Sequence, residues 1–246
     1  MQKISPFHRT ASSYVSRIEA PTPPLIFSQP YRYFARGQQC YVFESLDNQF
    51  VIKFFRLPKF SPSFLSYLPF LSKKGEKDYR KRQWNHLLDS LRIAKEKLGL
   101  ESGLIYTHLK LSDNLNTSLT LIDPLGRRNQ VFLDDYYFIV QKKAELFGPL
   151  LLKLYKEKKE KKIQELLISF IDTVHHRVDI KVRNKNRNCM KNLGIIQNRV
   201  VEFDVGELSA LKTNREKEVE KSFRQFRKFL SHKMPEYLSY FDQHAL

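Results

Sequence analysis

Residues 192–206, NLGIIQNRVVEFDVG, decide how the rest of the chain is read. Leu193-Gly194-Ile195-Ile196 is a short apolar run, Gln197-Asn198-Arg199 a polar break, and Val200-Val201-Glu202-Phe203 a second apolar run. Two such runs around turn residues spell a β-hairpin. Folding back sets whatever precedes the first strand beside whatever follows the second. Asn192 and Asp204 therefore arrive at one end of the sheet, with Val205-Gly206 leading away. Oxygen donors placed this way suit Mg²⁺, which is usually held by one or two carboxylates plus substrate phosphates.

The chain has 246 residues, room for one large domain or two small lobes. With 41% hydrophobic residues, 19 Phe and 12 Tyr, it can build a real core, which excludes wholesale disorder. No apolar run approaches the ~18 residues of a spanning helix, and MQKISPFHRTASSYVSRIEA lacks the apolar centre of a secretory signal. The expectation is a cytoplasmic protein without a membrane span. Cys40 and Cys189 stand far apart with no partner pattern, as free thiols in a reducing compartment do. The net charge of +17 attracts phosphates and nucleic acid. Lys-rich solvated helix faces such as KEKKEKK (156–162) produce the same arithmetic.

Before the hairpin, residues 1–28 are polar and then Pro-rich, a flexible lead-in. Residues 31–55, YRYFARGQQCYVFESLDNQFVIKFF, spell three strands that pair in sequence, with Gly37 in the first turn and Leu46-Asp47-Asn48-Gln49 in the second. Residues 57–74 are irregular, broken by Pro58, Pro62 and Pro69. Residues 76–98 carry Trp84, Leu87, Leu88, Leu91 and Ala94 at helical spacing, and Gly99 supplies a stop. Strand-like runs follow at 104–109, 118–122, 130–133 and 136–141, with Asp123-Pro124-Leu125-Gly126 as a turn. Then the character becomes helical. Residues 146–155 read as a helix interrupted by Gly148-Pro149, residues 163–178 as a second, and residues 215–233 as a long amphipathic third, with a last turn at Pro235. The layout is α+β: a lead-in at 1–28, a β-rich lobe at 29–141 and a helical lobe at 142–246.

This order resembles the protein-kinase-like superfamily: a mostly antiparallel β small lobe and a reduced helical large lobe. ARGQQCYVF keeps one glycine of that family's phosphate loop, with the spacing from Gly37 to Val42. VIKFF puts Lys53 where the family has the strand lysine that contacts nucleotide phosphates. The resemblance pairs that lysine with a carboxylate on the next helix; Asp89 is the candidate, Glu76 and Glu96 the alternatives. HHRVDIKVRN resembles H-R-D-x-K-x-x-N with Val178 inserted, which makes Asp179 the base and Lys181 the phosphoryl contact. Asn192, however, directly precedes a strand as the family's metal asparagine does, and five residues before it stands Arg187 rather than an aspartate. Asp204-Val205-Gly206 resembles D-F-G. In this frame Asn192 and Asp204 hold Mg²⁺. Nothing like A-P-E follows, and the remaining ~40 residues are too few for a full activation segment.

What the resemblance implies is an atypical, reduced kinase-like protein, akin to an uncharacterised bacterial branch. It would bind ATP–Mg²⁺ between two lobes and act on an unknown protein or small-molecule substrate. Without a base, a chain of this kind is a pseudokinase scaffold, since a lost general base costs about 10²–10⁴-fold in rate. A third reading takes the charge and the aromatics at face value, as a basic nucleic-acid-binding protein. The loop RNKNRNCMK is read as an exposed insertion, with contact to an anion or acidic substrate as the functional alternative.

Overall fold

The computed structural model describes residues 26–56, 76–186 and 188–245. The expected irregular segment 57–74 and most of the expected lead-in lie outside them. Within the described residues the order is β1 (Tyr31–Arg36), β2 (Cys40–Ser45), β3 (Phe50–Phe55), α1 (Glu76–Ile93), β4 (Leu104–His108), β5 (Ser118–Ile122), β6 (Arg128–Phe132), β7 (Phe138–Lys142) and β8 (Glu145–Leu146). There follow α2 (Phe147–Lys156), α3 (Glu160–Asp179), β9 (Val182–Asn184), α4 (Cys189–Asn192), β10 (Leu193–Ile196), β11 (Arg199–Glu202), β12 (Leu208–Ala210), α5 (Arg215–Lys233) and α6 (Leu238–Ala245). The described chain divides into two compact units. One holds the segment up to Leu88 together with Ile105–Lys143, the other Asp89–Leu104 with Ala144–Leu246.

The first unit is built on a seven-stranded sheet in the order β4-β7-β3-β2-β1-β5-β6. β1, β2, β3 and β7 are antiparallel neighbours, whereas β5 runs parallel to β1. The alternation in the sequence sends Tyr31, Phe43, Ile52, Phe54, Phe138 and Val140 into one core. Ile26 and Phe27 join it: Phe27 meets the rings of Tyr106 and Phe138 edge-on, and the Tyr31 hydroxyl donates to the Ile26 carbonyl at 3.0 Å. The last three residues of the expected lead-in are thus part of the folded unit. Trp84, on α1, fills the gap between Phe55 and Tyr137.

The second unit is helical around a small sheet. Phe147, Phe170, Phe223, Phe226 and Phe241, from α2, α3, α5 and α6, form one aromatic cluster with Phe170 and Phe226 centroids 4.8 Å apart. Contrary to expectation, Gly148-Pro149 does not interrupt α2. The two residues fall in its first turn, where the backbone N–H groups have no intrahelical partner to lose. α3 also runs further than its apolar face suggested, through Asp179, and closes with Lys181 at φ 61°. Against α2 and α3 lies the sheet β11-β10-β8, flanked by the ribbon β12-β9. Among the described residues no helix is long and apolar enough to cross a membrane.

Candidate functional site

The hairpin forms, with Arg199 joining β11 rather than the turn and the strand ending at Glu202 rather than Phe203. Leu193 pairs with Glu202 and Ile196 with Arg199, and the turn is Gln197-Asn198, at φ 50° and 62°. Two consecutive positive-φ residues are the twist-matched turn of a two-residue hairpin. β8 lines the other side of β10 so closely that a Cβ on Gly194 would lie 2.5 Å from the Ala144 Cβ. Asn192, the last residue of α4, directly precedes the first paired residue, Leu193, and Asp204 follows the last paired residue, Glu202, by two positions.

Asp204 is half-buried, and its Oδ2 accepts from the Asn186 side-chain amide at 3.3 Å. Behind it, Val205 is buried, and its carbonyl accepts from the Ser90 hydroxyl. The same Ser90 Oγ accepts from the Leu208 N–H at 2.7 Å, so one α1 side chain braces both ends of the turn after Asp204. Asn192 is half-buried, and its Nδ2 atom is buried without a hydrogen-bond partner among the described residues. It borders a small cavity of ≈ 20 Å³ lined by Arg177, Asn184, Asn186 and Glu202 together with the apolar side chains of Phe170, Val174 and Leu193.

The loop before the hairpin is not a plain exposed insertion. Asn184 and Cys189 are buried. Asn184 donates from Nδ2 to Glu202 Oε2 at 3.3 Å, and its Oδ1 accepts from the Asn186 N–H at 2.9 Å. Asn186 repeats the motif with the Asn188 N–H at 3.5 Å, and the Asn188 carbonyl receives the N–H groups of Lys191 and Asn192. These are successive Asx contacts, each turning the backbone two residues on. The alternation Asn184-x-Asn186-x-Asn188 was the available sequence signal, and it pointed to Asn186, a residue the sequence reading did not single out. Arg187 lies outside the described residues.

Within the H-R-x-D segment, Arg177 is part of the core. Arg177 is 2% exposed and donates to Glu202 Oε1 (2.8 Å), Ser222 Oγ (2.9 Å) and the Val182 carbonyl (3.2 Å). Asp179, at the end of α3, is exposed and accepts from Arg215 Nε at 2.7 Å. The Arg215 hydrogen bond holds its carboxyl below the usual range. Lys181 is exposed and closes the helix end, its N–H donating to the Val178 carbonyl at 3.0 Å. Among the described residues no hydrogen bond or ion pair joins Asp179 or Lys181 to Asp204. The structure gives Asp204 an amide partner, Asn186, and Asp179 a cationic one, Arg215.

In the first unit, Lys53 stands opposite Val42 across β2–β3 and opposite Ile139 in β7, so Val42 and Lys53 share a sheet face. Gly37 turns β1 into β2, its N–H donating to the Cys40 carbonyl at 2.9 Å, and Arg56 caps the carbonyls of Gly37 and Gln38. A Cβ on Gly37 would meet nothing nearer than 3.7 Å, so the turn does not require glycine. Asp89, the expected partner of Lys53, is exposed on α1 and accepts from Arg92 at 3.1 Å, one helical turn on.

As a metal site, Asp204 with Asn192 supplies one carboxylate and an amide. Among the described residues no group of three or more His, Cys, Asp or Glu side chains gathers around a point. Sparse oxygen donors completed by water and phosphate are what Mg²⁺ uses, so the residues fit that ion in kind.

What the fold and site define is a mixed α/β protein of two compact units, one built on a mostly antiparallel seven-stranded sheet and one helical. No family model matches the chain. No curated protein matches it in sequence. Among solved structures it is similar to WbdD at 2.2 Å resolution, with 12% identity and a TM-score of 0.39 over 82% of this chain and 36% of that one. WbdD with the kinase inhibitor LY294002 gives 10% identity and a TM-score of 0.37 over 80% of this chain and 36% of that one. A further structure, described as the bifunctional kinase-methyltransferase WbdD, gives 10% and 0.37 over 77% and 33%. The chain spans about a third of the length of these proteins.

Proposed function

We propose that the chain is an atypical, reduced protein-kinase-like protein that binds ATP–Mg²⁺. In this reading the Lys53 ammonium contacts nucleotide phosphates, and Asn192 and Asp204 hold the metal. The observation that carries it is the β10–β11 hairpin, which presents Asn192 and Asp204 at one end. The shared face of Val42 and Lys53 adds to it. Mg²⁺, when bound, would neutralise phosphate charge; the chain's own residues would bind and orient the nucleotide.

Thermal melts test the reading. A ligand at about 100 times its Kd stabilises by about 2.7 kcal/mol, so ATP with Mg²⁺ raises the Tm, ATP with EDTA raises it far less, and Lys53→Ala and Asp204→Ala each abolish the rise. No rise in the wild type, or an equal rise in both variants, refutes it. A second reading, the inactive pseudokinase, is favoured by the pairing of Asp204 with an amide and of Asp179 with Arg215. Asp179 is the candidate base, and a carboxylate already held by a guanidinium is a poorer acceptor for the proton of an attacking hydroxyl. Single-turnover transfer of radiolabelled phosphate to the protein or to a substrate would exclude that reading.

A further inference from the structure

Among the described residues one face of α2 carries exposed and half-buried side chains. Pro149, Leu152, Lys153 and Lys156 stand at spacings of three and four, a single stripe of that helix. With Leu146 and Met190 the stripe walls a groove of ≈ 760 Å³. That volume lies within the ~300–1,000 Å³ of small-molecule sites. Its floor is set by a close approach: a Cβ on Gly148 would lie 2.7 Å from Met190 Cε and 2.8 Å from the Met190 carbonyl oxygen, so only glycine lets α2 rest on that residue. Leu146, at the mouth, is 44% exposed.

The rim carries charge of one sign. Lys153, Lys156 and Lys191 surround the apolar walls, against the single carboxylate of Glu157. Among the described residues none of the three ammonium groups is held in an ion pair. The local balance is thus about two positive charges beside apolar surface, and a phosphate monoester carries about −1.5 to −2 at neutral pH.

We infer that this groove binds a small apolar phosphate monoester, its hydrocarbon body against Leu146, Pro149, Leu152 and Met190 and its phosphate among the three lysines. The site lies wholly in the second unit and does not depend on the nucleotide reading.

The test is calorimetric titration of the full chain, without nucleotide, with decyl phosphate below its micellar concentration. Inorganic phosphate and decyltrimethylammonium are the controls for the missing tail and the inverted charge. Decyl phosphate should saturate at one per chain, with both controls at least about tenfold weaker. The double variant Lys153→Glu/Lys156→Glu should weaken it about tenfold or more, with the circular dichroism spectrum and Tm unchanged. Leu152→Gln, checked for folding in the same way, should weaken decyl phosphate while leaving inorganic phosphate where it was. Equal binding of decyltrimethylammonium, equal binding of inorganic phosphate, or wild-type affinity in the double lysine variant would overturn the assignment. So would displacement of nothing but an acidic amphipathic peptide, which would make the groove a protein-docking surface.

Discussion

Replacing Arg177 by alanine tests whether the H-R-x-D segment is core rather than catalytic machinery. The guanidinium is 2% exposed, Glu202 6% and Glu218 0% as side chains, with Arg177 at 2.8 Å from Glu202 and 3.8 Å from Glu218. Arg183 adds a second cation at 3.7 Å from Glu218, so the cluster holds two positive and two negative groups. Removing Arg177 leaves two buried carboxylates against one partly exposed guanidinium. It also takes the donor from the Val182 carbonyl, whereas the Ser222 hydroxyl keeps its bond to the Glu218 carbonyl at 2.8 Å. Breaking a buried ion pair from one side costs about 3–5 kcal/mol. The orphaned carbonyl adds about 1 kcal/mol. Arg177→Ala should therefore lose about 4–6 kcal/mol, a large share of the ~5–15 kcal/mol that holds a typical domain. Urea unfolding followed by circular dichroism reads it, with the midpoint falling at constant m-value. The companion double variant Arg177→Met/Glu202→Leu removes both charges and should recover much of the loss, because an apolar pair of similar volume is often neutral. A loss below about 1 kcal/mol in Arg177→Ala would refute the account, as would a double variant that costs the sum of its singles.

Three smaller perturbations follow from named contacts. Gly194→Ala puts a methyl group 2.5 Å from the Ala144 Cβ and 3.1 Å from the Glu145 carbonyl, and should cost about 1–3 kcal/mol in thermal stability; a neutral result would mean β8 is not fixed against β10. Glu44 is nearly buried, and although burial opposes its ionisation, hydrogen bonds from Lys143 and Arg32 (both 2.5 Å) hold its pKa below the ordinary carboxylate value. A carboxyl lowered on folding stabilises above its unfolded pKa and loses that contribution as pH falls through its folded value. The stability gap between wild type and Glu44→Gln, about 1–2 kcal/mol at pH 7, should close as the pH falls below the ordinary glutamate pKa of about 4.3 and not on raising the pH. Asp179→Ala removes an exposed ion pair with Arg215 and should shift stability by less than about 1 kcal/mol, while leaving any ATP–Mg²⁺ stabilisation intact; loss of that stabilisation would return Asp179 to the site.

The elements were legible wherever a period repeated. The alternation in 31–55 and the apolar runs of 192–206 fixed strands to within a residue or two, and 215–233 matches α5 end to end. What escaped were features without a period. β9 and β12 are three residues each, too short to show alternation, yet their pairing sets Asn184 opposite Leu208 beside the hairpin. Ser90 looks like an ordinary helix serine until the turn after Asp204 supplies a donor and an acceptor for its hydroxyl. Arg177 falls in the segment that resembles a catalytic loop, and motif spacing says nothing of its burial. Its true partners, Glu202, Glu218 and Ser222, lie 25 to 45 residues away.

The contact between Asn186 and Asp204 makes the metal question answerable without nucleotide. Asn186→Asp changes one atom type, and sets a second carboxylate where the amide nitrogen now lies 3.3 Å from Asp204 Oδ2. Two like charges at that distance repel by about 1 kcal/mol in bulk water and about 5 kcal/mol at an effective dielectric near 20; half-buried Asp204 falls between these limits. The variant should therefore melt lower than the wild type in EDTA. A divalent cation inverts the sign, because two converging carboxylates are a better Mg²⁺ donor set than one carboxylate and an amide nitrogen that can only donate hydrogen bonds. Millimolar Mg²⁺ alone should restore the Tm of Asn186→Asp, and Asp204→Asn added to it should remove the effect. If Mg²⁺ moves the variant no more than the wild type, Asp204 does not face a cation site, and its bond to Asn186 serves only to order the loop.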